Sequence, residues 1–204
     1  MYTDLIYDFD GTISDTYPIF TEALLELLKN HGLSDTYEGA YAKLKVSVGH
    51  ALSCYEWDDE RKKINREFHA IHERLALEKQ EMISGADVVL KAAVENGKRN
   101  YLYTHTGKLV HQLLDKMGIA EYFTEIMDGT LKFDRKPCPD ALNWLMDRHG
   151  IDRSTALMVG DREMDIGAAH NAGIDGCLMD IEGFYPDTKA EHRIDKLTDL
   201  LDIM

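Results

Sequence analysis

Five short apolar runs, at residues 4–9, 100–104, 125–128, 156–160 and 174–179, set the strongest limit on how this chain can fold. Each is bounded by turn residues or by a segment with helical spacing, which is the pattern of buried strands. The segments at 86–95, 107–116, Pro139 towards Arg148 and 163–171 read as helices, and Gly97, Gly118 and Gly173 stand as stops. Strands that alternate with helices predict a parallel sheet covered on both faces. Ligands of such sheets bind at the carboxyl ends of the strands. Asp8, Asp10, Thr104 and Asp161 fall there.

The stretch between the first two strands is different. Phe20, Ala23, Leu24, Leu27 and Leu28 give one helix its apolar face, and the chain from about Tyr37 to Lys79 reads as helical throughout, with a loop-and-helix junction around Gly49. No segment from 14 to 83 alternates as a strand would. This is too long for an ordinary crossover and predicts a helical insertion over the sheet. The expected fold is α/β: a Rossmann-like parallel core at 1–14 and 84–204, with a helical domain at 15–83 inserted after the first strand. A last short helix is expected within Ile194–Ile203.

The net charge of -14 disfavours nucleic acid and would also repel a phosphorylated small molecule. A phosphate site would therefore need local cations. No apolar run approaches the roughly 20 residues of a membrane helix. The start, MYTDLIYDFDG, does not read as a signal peptide. Cys54, Cys138 and Cys177 suggest no disulfide framework, so the expected location is the cytoplasm.

Four elements could carry chemistry. In Asp8-Phe9-Asp10-Gly11-Thr12, residues two apart on a strand share a side, so both carboxylates can face one pocket. Asp8 could attack phosphorus and Asp10 could act as acid and then base. Gly11 would let the turn close around phosphate oxygens. The alternative is an ordinary Asp-Gly turn. Asp161 and Asp165, four apart after an apolar strand, suit a hard cation such as magnesium, or else Asp161 and Glu163 merely cap a helix. Lys136, stiffened by Pro137 and Pro139, could neutralise charge or could be a solvated surface residue. Thr104 could donate to phosphate or simply cap its strand.

Together and in this order, these elements resemble the four motifs of the haloacid dehalogenase-like hydrolases, in the helical-cap branch of the phosphoglycolate phosphatases and β-phosphoglucomutases. The resemblance implies Asp8 as nucleophile and Asp10 as acid/base. It implies Mg2+ held by Asp8, the Asp10 carbonyl and Asp161, with Asp165 assisting. Gly11, Thr12, Thr104 and Lys136 would grip the phosphoryl group. His105 stands where many relatives have asparagine or serine, and is expected to touch phosphate or substrate or to hydrogen-bond its loop. Lys45 and His50 fall in a segment that resembles the cap specificity loop, and are the candidates for substrate contact, although they also read as solvated side chains.

The leading expectation is a phosphatase acting on a small phosphorylated metabolite. A β-phosphoglucomutase-type mutase would use the same two aspartates, but its cap pattern is not evident here. A dehalogenase would need neither Asp10 nor the cation residues. A non-enzymatic binding or interaction protein would need none of the set.

Overall fold

A computed structural model describes residues 1–204. Six strands form one parallel sheet: β1 (Asp4–Tyr7), β2 (Arg99–Tyr103), β3 (Phe123–Met127), β4 (Ala156–Gly160), β5 (Asp175–Met179) and β6 (His192–Ile194). Their order is β3-β2-β1-β4-β5-β6. β1 is central: Tyr7 pairs with Leu102 on one side and Val159 on the other. The sheet therefore grows outward in both directions from β1, and the point where its order reverses lies beside Asp8.

Leu5, Ile6 and Tyr7 are fully buried. Each large apolar side chain taken out of water contributes about 2 kcal/mol. Ile6, Tyr101, Tyr103, Met127 and Met158 lie in one cluster with residues of α7 (Asp140–His149) and α8 (Glu163–Ala172). On the other face the Asn100 amide donates to the Leu90 carbonyl of α5 (Ala86–Glu95), which ties β2 to that helix. The remaining core helix is α6 (Leu109–Met117).

The chain divides into two compact units, Met1–Ser14 with Met82–Met204, and Asp15–Glu81. The second is all helical: α1 (Tyr17–Asn30), α2 (Tyr37–Val46), α3 (Val48–Ser53) and α4 (Arg61–Lys79). The helical stretch expected from Tyr37 to Lys79 is thus broken twice, the first time near the junction expected around Gly49. Ser47 is extended, and its side chain accepts from the His50 N–H and starts α3. The segment 54–60 then separates α3 from α4. At its base the insertion leaves and rejoins the core at one place, where Ser14 bridges Met82 and the Ile83 N–H donates to the Ile13 carbonyl at 2.8 Å. No helix is long and apolar enough to cross a membrane.

At the carboxyl terminus the expected helix is a 3-10 helix over Leu197–Asp202. The short edge strand β6 precedes it.

Candidate active site

Asp8 follows the last residue of β1, and its N–H donates to the Val159 carbonyl at 2.9 Å, which holds it extended against β4. Phe9 then turns the chain. Its carbonyl accepts the N–H groups of Thr12, Ile13 and Ser14, while the Gly11 N–H goes to the Ser14 carbonyl. Gly11 has φ 78°, a left-handed value that a side chain would strain. The Gly11 and Thr12 N–H groups are thus used within the turn. The Thr12 side chain is fully buried and its hydroxyl has no hydrogen-bond partner.

Lys136 reaches into the sheet end from the loop before α7. It is buried, and its Nζ donates to Asp8 Oδ1 at 2.8 Å, Asp165 Oδ1 at 2.8 Å and the Tyr103 carbonyl at 2.9 Å. These three bonds match the three protons of an ammonium group. Burial opposes its charge, but Asp165 and Asp8 outweigh that, so the lysine stays protonated well above its ordinary range. The solvated-surface alternative for Lys136 is therefore corrected: the side chain is enclosed, because two carboxylates compensate its desolvation.

Asp165 divides its two oxygens. Oδ1 accepts from Lys136, and Oδ2 accepts the Arg162 N–H at 3.1 Å at the start of α8. The cap at the start of α8 is therefore supplied by Asp165, whereas the capping alternative concerns Asp161 and Glu163, and Glu163 is exposed. Burial pushes the Asp165 carboxyl upward, Lys136 pulls it down and Asp8 raises it again. Asp161 lies beside it at the end of β4, and carboxylate oxygens of Asp8, Asp161 and Asp165 fall within 4.8 Å of one another. All three residues are buried. Three enclosed carboxylates against one ammonium leave an excess of negative charge. A hard divalent cation with oxygen ligands fits that donor set.

Thr104 follows β2 and is buried. Its Oγ1 accepts the Thr106 N–H at 3.0 Å, which leaves its own proton to donate. His105 Nε2 accepts the Lys136 N–H at 3.3 Å, so the neutral ring carries its proton on Nδ1. Burial, reinforced by Lys136, lowers the His105 pKa to about 4 and keeps the ring neutral at pH 7. The pair His105-Thr106 stands out in the sequence, but only His105 is given a role there; the Thr106 hydroxyl donates to Asp10 Oδ2 at 2.8 Å. The sequence Thr104-His105-Thr106 places it next to the site, but nothing in the spacing points it at Asp10.

Lys45 and His50 belong to the helical unit rather than to this cluster. The Lys45 Nζ lies 3.8 Å from the centre of the Tyr17 ring. His50 is exposed, with Nε2 3.7 Å from Cys54 Sγ.

The sequence profile described as haloacid dehalogenase-like hydrolase matches residues 5–179. A phosphoglycolate phosphatase of Vibrio vulnificus is 32% identical over 183 residues, covering 83% of this chain and 79% of the relative. Among solved structures, a hydrolase from Streptococcus pneumoniae is 28% identical with TM-score 0.69, covering 99% of this chain and 97% of that one. A protein described as a predicted phosphoglycolate phosphatase from Haemophilus somnus shares the fold at TM-score 0.87 with 21% identity, over 99% and 97% of the two chains.

Proposed function

The chain belongs to the haloacid dehalogenase-like hydrolases, and on that premise we propose that it hydrolyses a small phosphomonoester through an aspartyl phosphate on Asp8. The observation that carries this reading is the Lys136 ammonium shared between Asp8 and Asp165 in a buried cluster. It keeps Asp8 oriented and supplies positive charge where phosphoryl oxygens would arrive.

In the first half-reaction an Asp8 oxygen bonds to phosphorus while the bond from phosphorus to the ester oxygen breaks. That oxygen keeps the electron pair and takes a proton from Asp10. In the second, Asp10 takes a proton from water, the water oxygen bonds to phosphorus, and the acyl phosphate bond breaks. Inorganic phosphate leaves and Asp8 is a carboxylate again. Asp8, Asp161, Asp165 and the Asp10 carbonyl are proposed to hold magnesium, which when bound supplies charge neutralisation for the phosphoryl oxygens. Gly11 shapes the turn. Thr12 and Thr104 offer hydroxyl protons, and His105 offers its Nδ1 proton, to the same oxygens.

The leading substrate class is a small phosphorylated metabolite, with Lys45 and His50 as the proposed contacts to its leaving group. The chain's similarity to phosphoglycolate phosphatases favours a short anionic leaving group, which the Lys45 ammonium would suit. Neither nucleic acid nor a membrane is a proposed partner, and three free thiols fit a reducing cytoplasm. The test is phosphate release from a panel of phosphomonoesters with magnesium, run beside Asp8→Asn. Turnover that requires Asp8 supports the reading. A folded wild-type protein that releases phosphate from no member would overturn it.

A further inference from the structure

We propose that Thr106 is a positioning residue for Asp10, whose carboxyl it holds in one orientation. The inference rests on the phosphatase reading above. Thr106 has little freedom of its own. Its N–H donates to Thr104 Oγ1 at 3.0 Å, and its carbonyl accepts the Gly129 N–H at 2.8 Å. Gly129 approaches so closely that a Cβ there would lie 2.2 Å from the His105 carbonyl oxygen. The loop after β2 is therefore clamped from both sides at the residue whose hydroxyl points to Asp10.

A threonine hydroxyl has one proton to give, and here it goes to Asp10 Oδ2 at 2.8 Å. That bond fixes how the Asp10 carboxyl is turned, and so where it gives up and takes back a proton. In the first half-reaction the Asp10 O–H bond breaks as the phosphorus–ester oxygen bond breaks, and the proton goes to the leaving oxygen. Thr106 then donates to a full carboxylate, and such charge-assisted bonds are the stronger kind. In the second half-reaction the attacking water gives a proton to the Asp10 carboxylate. The hydroxyl remains a donor throughout and never touches the phosphoryl group.

The consequence is a dependence on the leaving group. Phenyl phosphate and p-nitrophenyl phosphate have the same body, but only the first expels a basic oxygen that needs the proton. First turnovers with enzyme in excess, and steady-state KM and kcat, should be measured in magnesium for wild type, Thr106→Val, Thr106→Ser and Asp10→Asn. Thr106→Val should slow release of phenol about 10- to 100-fold, a part of what a general acid contributes. It should leave release of p-nitrophenol within about threefold and KM unchanged, and Thr106→Ser should restore the phenol rate. In an Asp10→Asn background, Thr106→Val should cost nothing further, because residues acting through one another are not additive. Equal slowing of both esters, a raised KM with kcat intact, no rescue by serine, or a full additional loss in the double variant would each overturn the inference. Wild-type protein inactive on both esters and on the whole phosphomonoester panel would remove the phosphatase reading, and this inference with it.

Discussion

Gly160 forms the floor on which Asp165 rests: a methyl group at position 160 would lie 2.3 Å from the Asp165 Cβ and 2.5 Å from its Oδ2. Both are closer than real Cβ contacts come. The last residue of β4 is therefore glycine because the carboxylate five positions later occupies the space of its side chain.

Gly160→Ala should displace Asp165, break its bond to Lys136 and weaken packing at the sheet end. Overpacking of this kind costs about 1–3 kcal/mol. Thermal unfolding should show the loss, and phosphate release should fall at least about tenfold, because active-site geometry tolerates little displacement.

Lys136→Met would leave Asp8 and Asp165 buried without the charge they share. Removing one partner of such a group costs about 3–5 kcal/mol. The loss should be largest in metal-free protein, where nothing else offsets the two carboxylates. Magnesium should restore part of it in a thermal melt, while activity stays low.

Cation binding should be visible without any substrate. If Asp8, Asp161 and Asp165 take up magnesium, the unfolding temperature should climb with its concentration, by about 2.7 kcal/mol of stability at a hundred times the dissociation constant. Asp161→Asn should lose that response. The metal-free variant should be no less stable than the metal-free wild type, since one of three crowded carboxylates has been neutralised. Chelated wild-type protein that melts at the same temperature as the magnesium-loaded form would count against the cation site.

His72 gives the helical unit an acid-sensitive point. It is buried in α4, with its ring 4.4 Å from the centre of Phe20 and stacked on Phe68 at 6.4 Å. Burial, with a smaller effect from His69, lowers its pKa to about 4. Between about pH 6.5 and 4 the unfolded chain binds a proton at this residue and the folded chain does not, so stability falls as pH falls. At pH 5 the loss is about 2 kcal/mol, at 1.36 kcal/mol per pKa unit. His72→Leu should flatten the stability curve in that window by this amount, as read from denaturant midpoints at pH 7 and pH 5.

The sheet was legible because its strands are apolar and short. Ala156–Gly160 could be read directly, since all five residues are buried and the run carries no polar residue. β6 was not legible. His-Arg-Ile at the sheet edge has three residues and only Ile194 buried, too little for a periodic signal. Gly49 marks the break near Ser47 in the sequence, but the one at 54–60 is hidden for another reason: it depends on side-chain bonds such as Trp57 to the Leu52 carbonyl, which no hydrophobic period records. In the site, Asp8, Asp10, Asp161, Asp165 and Lys136 announce themselves by residue type and order. Thr106 does not, because its importance lies in a contact across 96 positions of sequence.

The closed base of the helical insertion has a consequence for descent. Ser14 and Met82 meet at one bridge, so the 67 residues between them hang from the core as a single closed loop. The entropic cost of closing a loop rises by only about 0.6 kcal/mol for each doubling of its length. An insertion can therefore be lengthened, shortened or exchanged with little penalty to the sheet, provided the bridge is kept. Selection for a new substrate can act on one stretch of the gene while the aspartates and the lysine, encoded on either side of it, are held fixed.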